Sequence, residues 1–230
     1  MVMKKVFWII LCMFFILPVI FAENMKLHYE RPAEYFEEAL VIGNGTMGAT
    51  LYGGVKKDKI SFNDITLWTG EPESENSSPD AFNAIPEIRA LLDNEDYQGA
   101  DKAQYKVQGH YSENYQPLGT LTIEYLDDTV GISDYHRWLD IGNATARTQY
   151  LKGGKLFTSD YFASAPDSVI VIRLKSENKE GIHALLSFDS PLPHSSQVAD
   201  NEISVEGYAA YHSFPVYYKA EDKHLSLIHI

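Results

Sequence analysis

The sequence predicts a mainly β protein, an antiparallel β-sandwich (a supersandwich) with a short helical insertion. Most of the chain after residue 46 divides into short runs of apolar, β-branched and aromatic residues, separated by glycines, prolines and acids. These runs follow one another through short turns with no helix between them, which favours an antiparallel sandwich over a parallel α/β sheet. A single window, residues 79–107, has helical punctuation instead.

The strand prediction rests on nine such runs, which are residues 47–53, 59–63, 118–125, 135–141, 144–151, 155–163, 169–174, 183–188 and 202–205. Gly153-Gly154 between two of them is typical of a two-residue hairpin turn. The runs 169–174 (VIVIRL) and 183–188 are apolar enough to predict buried strands. Pro191 and Pro193 interrupt the pattern before it resumes at Glu202.

The helical window is predicted as two pieces. Ser78 can cap the first piece, with Pro79 at its first position. Pro86 lacks the N–H that an interior helical residue donates, so we expect the helix to break there. Asn94 can cap a second piece that runs from residue 95 to about residue 108. The apolar residues at helical spacing on one face of the first piece are Ile85, Ile88, Leu91 and Leu92.

The first 22 residues have the layout of a secretory signal peptide. Lys4 and Lys5 precede an uncharged apolar run of about 16 residues, and Ala22 stands before the first acid. The alternative is a membrane anchor, but the run is shorter than the ~20 residues that span a bilayer, and Pro18 interrupts it. We therefore expect an exported protein, periplasmic or secreted, without stable membrane insertion after signal cleavage.

Composition excludes several classes of protein. The 230 residues carry a net charge of −13, and the sequence has no cluster of Lys and Arg of the kind that binds phosphate backbones. A nucleic-acid-binding protein is therefore excluded. Cys12, the one cysteine, lies in the signal segment, so a disulfide scaffold and a thiolate metal site are excluded from the mature chain. No histidine pair has metal-ligand spacing, so the sequence predicts no metal and no cofactor.

The segment GNGTMG, residues 43–48, matches a dinucleotide-binding fingerprint by letter. Asp64 even stands about 20 residues further on, where a ribose-binding acid is expected. The glycines are followed by a strand-like run and not by a helix whose N-terminus could hold a pyrophosphate. We interpret them as a tight turn that needs positive φ angles.

A carbohydrate-related function is suggested by two further patterns. The sequence is rich in acids, and a glycosidase needs two carboxylates across the scissile bond, although sequence separation does not say which two face each other. It also carries 15 tyrosines and three tryptophans, whose rings stack on sugars. Core packing and hydroxyl hydrogen bonds explain such residues in a β-sandwich equally well.

Several segments, taken in order, resemble the N-terminal domain of glycoside hydrolase family 95, which comprises exported α-L-fucosidases and relatives acting on α-L-galactosides. The first two are EALVIGNGTMGATLYGG at residues 38–54 and ISFNDITLWTGEP at residues 60–72. The others are residues 85–92, 115–119, 135–140 and 162–167, so the resemblance covers about residues 27–218. Asp64, Thr120 and Ser159-Asp160 depart from the commonest family pattern, which leaves the substrate preference open.

The resemblance implies that the catalytic residues lie outside this chain. In family 95 they belong to an (α/α)₆ barrel that follows the β domain, and the helical window is too short for twelve helices of ~11 residues. We therefore assign no catalytic residue, and name Asn63, Asp64 and Trp68 as candidates for a domain interface. For these three, strand termination and core filling remain alternatives.

The last six residues, LSLIHI, resemble the translation of a transposase-adapter sequence, although an ordinary terminal strand would look similar. The predicted organisation is thus a signal in residues 1–22, a β-sandwich domain in 23–224 and a non-native tail in 225–230. The implied parent enzyme removes α-L-fucosyl residues from glycans by inverting hydrolysis, so that an oligosaccharide is the partner. The alternatives are an α-L-galactosidase and a free-standing carbohydrate-binding module.

Overall fold

The computed structural model describes residues 25–70, 80–109, 113–126 and 131–210, together with the backbone of residues 228–229. The predicted signal segment, with Cys12, lies outside the described residues, as do Ser78 and Pro79. Within these ranges, none of the helices has the length and apolar character needed to cross a membrane.

The chain forms two compact units. The first, the sandwich unit, comprises the chain up to Leu67 and residues Pro117–Val205. The second, the helical unit, comprises Trp68–Gln116 and the chain from Glu206 onward.

The sandwich unit contains a five-stranded sheet, here called sheet I, in which every neighbouring pair is antiparallel. Its strands, in spatial order, are β1 (Lys26–Tyr29), β6 (Ile132–Asp140), β7 (Thr145–Lys152), β8 (Lys155–Ser164) and β9 (Val169–Ser176). Gly153 and Gly154, at φ angles of 56° and 75°, form the turn between β7 and β8. The predicted hairpin is therefore confirmed.

A second antiparallel five-stranded sheet, sheet II, completes the sandwich. Its strands, in spatial order, are β10 (Ala184–Asp189), β5 (Gly119–Tyr125), β4 (Lys57–Asp64), β3 (Met47–Leu51) and β2 (Leu40–Gly43). A separate three-stranded sheet is formed by β11 (His194–Ala199), β12 (Glu202–Ala209) and the two-residue β13 (Ile228–His229).

The core lies between sheets I and II, because one cluster of buried side chains draws on both of them. Sheet II contributes Leu40, Ile42, Ala49, Leu51, Ile60, Ile123 and Tyr125, and sheet I contributes Ala146, Tyr150, Phe157 and Tyr161. Along each strand these residues alternate with more exposed ones, as the two-residue period of a pleated strand requires. Each large apolar side chain buried here contributes roughly 1.5–3 kcal/mol.

All nine predicted strands are confirmed in type, and the fold class is the predicted antiparallel sandwich. The prediction that residues 169–174 and 183–188 are buried strands is wrong, because β9 and β10 lie at the edges of their sheets. Leu185 and Leu186 of β10 are accordingly exposed. Strands β1, β2 and β11 were not predicted from the sequence. β1 has only four residues (KLHY), and all four are exposed.

The helical unit contains α1 (Ala81–Asp93) and α2 (Tyr97–Ala103), followed by a 3₁₀ turn at Gln104–Val107. The predicted break at Pro86 is wrong, since α1 continues through it. The carbonyl that loses its partner belongs to Phe82, a strongly exposed residue that water can reach. The residue of α1 that is buried is Ala84, whereas Ile85 and Leu92 on the predicted face are exposed.

The predicted cap of the second helix is also wrong. Asn94 ends α1 instead, where its side-chain amide donates to the carbonyl of Ala90 at 2.8 Å. Asp96 caps α2, because its Oδ1 accepts the backbone N–H of Gly99 at 2.9 Å. Asn is common at both ends of helices, so its presence at residue 94 did not by itself show at which end it lies.

Candidate functional site

The glycines of residues 43–48 form the turn between β2 and β3, as interpreted from the sequence. Gly45 has a φ angle of 97°, in the region that favours glycine. The Oδ1 atom of Asn44 accepts the backbone N–H groups of Thr46 at 3.0 Å and Met47 at 2.8 Å. The side-chain amide of Asn44 donates to the carbonyl of Ser164 at 2.9 Å, which ties this turn to the end of β8.

Asn63 and Asp64, two of the predicted interface residues, lie beside this turn at the end of β4. Asp64 accepts the backbone N–H of Thr66 at 2.8 Å and the Thr66 hydroxyl at 2.6 Å, which closes the turn that ends the strand. The N–H of Ile65 donates to the carbonyl of Thr46 at 2.8 Å and so links the two turns. Asp64 is thus engaged in strand termination, and an interface role for it stays a prediction.

Asn63 differs from Asp64 because its side-chain oxygen is enclosed. The Oδ1 atom of Asn63 is buried and has no hydrogen-bond partner among the described residues. An enclosed acceptor without a donor costs about 1–3 kcal/mol. Asn63 therefore holds an unused acceptor at the turn edge of the sandwich unit.

Trp68, the third predicted interface residue, belongs to the helical unit and not to the sandwich unit. It forms an isolated antiparallel bridge with Tyr115, and the two ring centroids lie 6.3 Å apart at an interplanar angle of 67°. Trp68 is 50% exposed and Tyr115 is 45% exposed. The backbone N–H of Thr69 donates to the carbonyl of Asn114 at 2.9 Å and holds the pair in place.

A polar cluster is enclosed between the two sheets of the sandwich unit. Asp58 is 1% exposed and accepts the hydroxyl of Tyr161 at 2.7 Å and the N–H of Gly54 at 2.9 Å. Burial raises the pKa of Asp58, and burial together with the nearby Asp58 charge raises the pKa of Tyr161. No substrate can reach this carboxyl, so the cluster is structural.

The outer face of sheet I carries a second polar cluster. The strand registers align His28, Trp138, Arg147, Asp160 and Arg173 in one row across the five strands. Both arginines form ion pairs with Asp160, and the Nη2 atom of Arg173 lies 2.6 Å from the Oδ2 atom of Asp160. Burial raises the pKa of Asp160, but the hydrogen bonds from Arg147 and Arg173 outweigh it, and the net pKa is lowered.

Four residues of this row, Trp138, Arg147, Asp160 and Arg173, line a groove of about 460 Å³. Residues of the next row, among them Lys26, Asp140, Thr145 and Phe162, complete its lining. The guanidinium of Arg147 lies 5.8 Å from the centroid of the Trp138 ring. This groove was not predicted from the sequence. The signal was present, since Arg147 and Asp160 alternate with the core residues of β7 and β8, but only the register shows that they meet.

Comparison with known proteins agrees with a glycosidase-related domain. Residues 27–225 match the family model described as "Glycosyl hydrolase family 65, N-terminal domain". The fold and this match define the class, which is the N-terminal β-rich domain of a glycoside hydrolase. The chain belongs to the family that this model describes. The narrower assignment to family 95 stays a prediction.

Two relatives illustrate the likeness. The chain is 33% identical over 196 residues to "Alpha-L-fucosidase 2" of Arabidopsis thaliana, which is 84% of this chain and 23% of that protein. It is 28% identical over 169 residues to "Probable alpha-fucosidase A" of Aspergillus niger, which is 69% of this chain and 21% of that protein. The match therefore spans about a fifth of the length of these curated relatives.

Proposed function

We propose that the chain is the N-terminal, non-catalytic domain of an exported, family-95-like glycosidase that removes α-L-fucosyl residues from glycans with inversion. The observation that carries this proposal is the 33% identity to an α-L-fucosidase over 84% of the chain. A general acid and a base-activated water belong, in this proposal, to a catalytic barrel that follows the domain. An α-L-galactoside is the alternative substrate.

The carboxyl groups of the sandwich unit support a non-catalytic role. A glycosidase general acid needs a raised pKa and access to substrate. Asp58 has a raised pKa but is enclosed, as described above. Asp160 is accessible, but its ion pairs with arginines keep it ionised at neutral pH.

Exposed apolar residues of the helical unit support packing against a further domain. Phe82 is 82% exposed, Tyr97 65% and Tyr105 66%. In this proposal these three side chains form part of a surface that another protein surface covers. The barrel provides that covering surface.

The same proposal includes both ends of the chain. Residues 1–22 are a cleaved signal, and residues 225–230 are encoded by an adapter.

The DNA downstream of the codon for His224 tests the fragment proposal. We expect an open reading frame of several hundred codons that encodes a helical barrel, and a stop codon there would contradict it. The longer product should hydrolyse an aryl α-L-fucoside. Because the reaction inverts the anomeric carbon, β-L-fucose should appear before its α-anomer, as measured by ¹H NMR of the anomeric proton. The 230-residue chain should show no turnover, and turnover by this chain alone would contradict the non-catalytic role. A preference of the longer product for an α-L-galactoside would contradict the proposed fucoside specificity.

The groove on sheet I favours a second candidate, a domain that binds glycan by itself. Trp138 with charged neighbours offers the combination of a ring and polar groups that sugars bind. Calorimetric titration of the full chain with fucosylated oligosaccharides tests this candidate. Saturable binding that Trp138→Ala abolishes and Trp68→Ala leaves intact would support it, whereas no binding in the millimolar range would exclude it.

A further inference from the structure

We propose that His28, Glu30 and His136 form a binding site for a transition-metal dication such as Zn²⁺ on the outer face of sheet I. The site is independent of the proposed glycosidase role. It differs from the sequence-based prediction of no metal. That prediction considered only histidines close together along the chain. The two histidines are 108 residues apart and meet only because β1 pairs with β6.

Strand register brings the two histidines to one face. His28 lies opposite Trp138 in the antiparallel pair of β1 and β6. His136 precedes Trp138 by two residues in β6, and because side chains alternate along a strand, it lies on the same face as the His28–Trp138 pair. Glu30 follows directly after the end of β1, and a carboxylate oxygen of it lies within 4.8 Å of a ring nitrogen of each histidine. The diagonal and direct neighbours across a strand pair are close enough for long side chains to touch.

The donor atoms have the spacing of a metal chelate. The Nε2 atom of His28 lies 3.1 Å from the Nδ1 atom of His136. One ligand atom from each of His28, Glu30 and His136 can be chosen so that all lie within 4.8 Å of one another. Two nitrogens that each lie ~2.0–2.1 Å from a tetrahedral Zn²⁺ are roughly 3.3 Å apart. The ion therefore fits with shifts of a few tenths of an ångström.

The donor set decides which ion binds. Two imidazoles and one carboxylate suit Zn²⁺, Cu²⁺ or Ni²⁺, whereas Mg²⁺ and Ca²⁺ prefer oxygen ligands. His28 and Glu30 are exposed and His136 is half-buried, so an ion can enter without rearrangement. Three protein ligands leave at least one coordination position to water, so the site is an open one.

A bound ion would link the two strands. β1 is the edge strand of sheet I, and its four residues are exposed. A metal that holds His28 and His136 together would therefore secure an edge with little apolar burial of its own. Binding to the folded chain alone stabilises it by mass action, by about 2.7 kcal/mol at a hundredfold excess of ligand over the dissociation constant.

Calorimetric titration of the full 230-residue chain with ZnCl₂, in a buffer that does not chelate zinc, tests the proposal. We expect one saturable site per chain, at least about tenfold weaker in Glu30→Gln and lost in the double variant His28→Gln/His136→Gln. His194→Gln is the matched control and should bind as the parent chain does, and MgCl₂ should not compete. No saturable binding by about 1 mM Zn²⁺, or equal binding by the double variant, would overturn the proposal.

Thermal unfolding supplies a second measurement that does not depend on a heat of binding. Zn²⁺ should raise the melting temperature of the parent chain and of His194→Gln, and EDTA should reverse the shift. The double variant should melt at the metal-free temperature of the parent with or without Zn²⁺. An equal Zn²⁺-dependent shift in the double variant would place the ion elsewhere and refute the site.

Discussion

Two neighbouring residues of β8 face opposite environments, and each anchors a polar cluster. Tyr161 faces the core and donates to Asp58, whereas Asp160 faces outward and accepts from Arg147 and Arg173. Burial acts on both acids in the same direction, raising the pKa. It prevails at Asp58, where the donors are neutral, and is outweighed at Asp160, where the donors are charged. The depth of burial and the kind of donor together set the direction in which each pKa shifts.

The largest effect is expected from Asp58→Ala. This substitution leaves the Tyr161 hydroxyl and the Gly54 N–H without an acceptor inside the core. Each buried unsatisfied group costs about 1–3 kcal/mol, so the free energy of unfolding should fall by roughly 3 kcal/mol or more. Urea denaturation followed by circular dichroism measures it. Asp189→Ala, at a 92% exposed side chain on β10, is the control and should change it by less than about 0.5 kcal/mol.

A smaller loss is expected from Tyr161→Phe. The ring stays in the core, and only the hydroxyl that donates to Asp58 at 2.7 Å is removed. The expected loss of unfolding free energy is about 1–2 kcal/mol, measured in the same denaturation experiment. Tyr35→Phe, at an exposed tyrosine, should be neutral. An equal loss in both variants would show that the enclosed hydrogen bond contributes no more to the free energy of unfolding than an exposed hydroxyl does.

Asp160→Asn should have a smaller effect that depends on salt. The two arginines on Asp160 are partly exposed, and such ion pairs contribute up to about 1 kcal/mol. The loss should shrink at ~1 M NaCl, where the Debye length falls to ~3 Å. Tyr161→Phe should show no such salt dependence. Equal salt dependence of the two variants would contradict the distinction between the clusters.

The two acids also differ in the sign of their pH dependence. The raised pKa of Asp58 stabilises the fold fully below the ordinary value of 3.8, and this contribution is lost as pH rises through the raised pKa. The lowered pKa of Asp160 stabilises above 3.8, and this is lost as pH falls through the lowered pKa. Each slope is at most about 1.4 kcal/mol per pH unit. The free energies of unfolding of Asp58→Asn, Asp160→Asn and the parent chain are measured as a function of pH on both sides of 3.8. The difference from the parent chain should change with pH in opposite directions for the two variants.

Much of the fold could be predicted from the sequence because β strands with one buried face leave an alternating pattern. The hairpin at Gly153-Gly154 and the turn at Gly45 followed from the φ angles that glycine allows. The edge strands were less predictable. β9 and β10 contain apolar runs that suggested buried strands, but both lie at sheet edges. β9 is only partly buried, and Leu185 and Leu186 of β10 are exposed.

The candidate sites were predictable only in part, because side chains distant in sequence build them. Asn63 and Asp64 could be placed at a strand end, but the enclosed oxygen of Asn63 depends on three-dimensional packing. The groove and the histidine pair depend on strand register, which needs the pairing of β1 with β6. Pro86 shows the same limit in the helical unit, where one missing hydrogen bond did not end the helix.

The alternation along β8 also determines where this domain can change length. One residue inserted between Ser159 and Tyr161 would move every later side chain of the strand to the opposite face. Asp160 or the inserted residue would then enter the apolar interior, and Tyr161 would face outward at the position that Phe162 now occupies, opposite Thr145 and Val171. Insertions should instead be tolerated at Gly153-Gly154, where a Cβ atom would meet no other atom within 4 Å. A tag or a fluorescent label placed at this hairpin should therefore leave the sandwich intact.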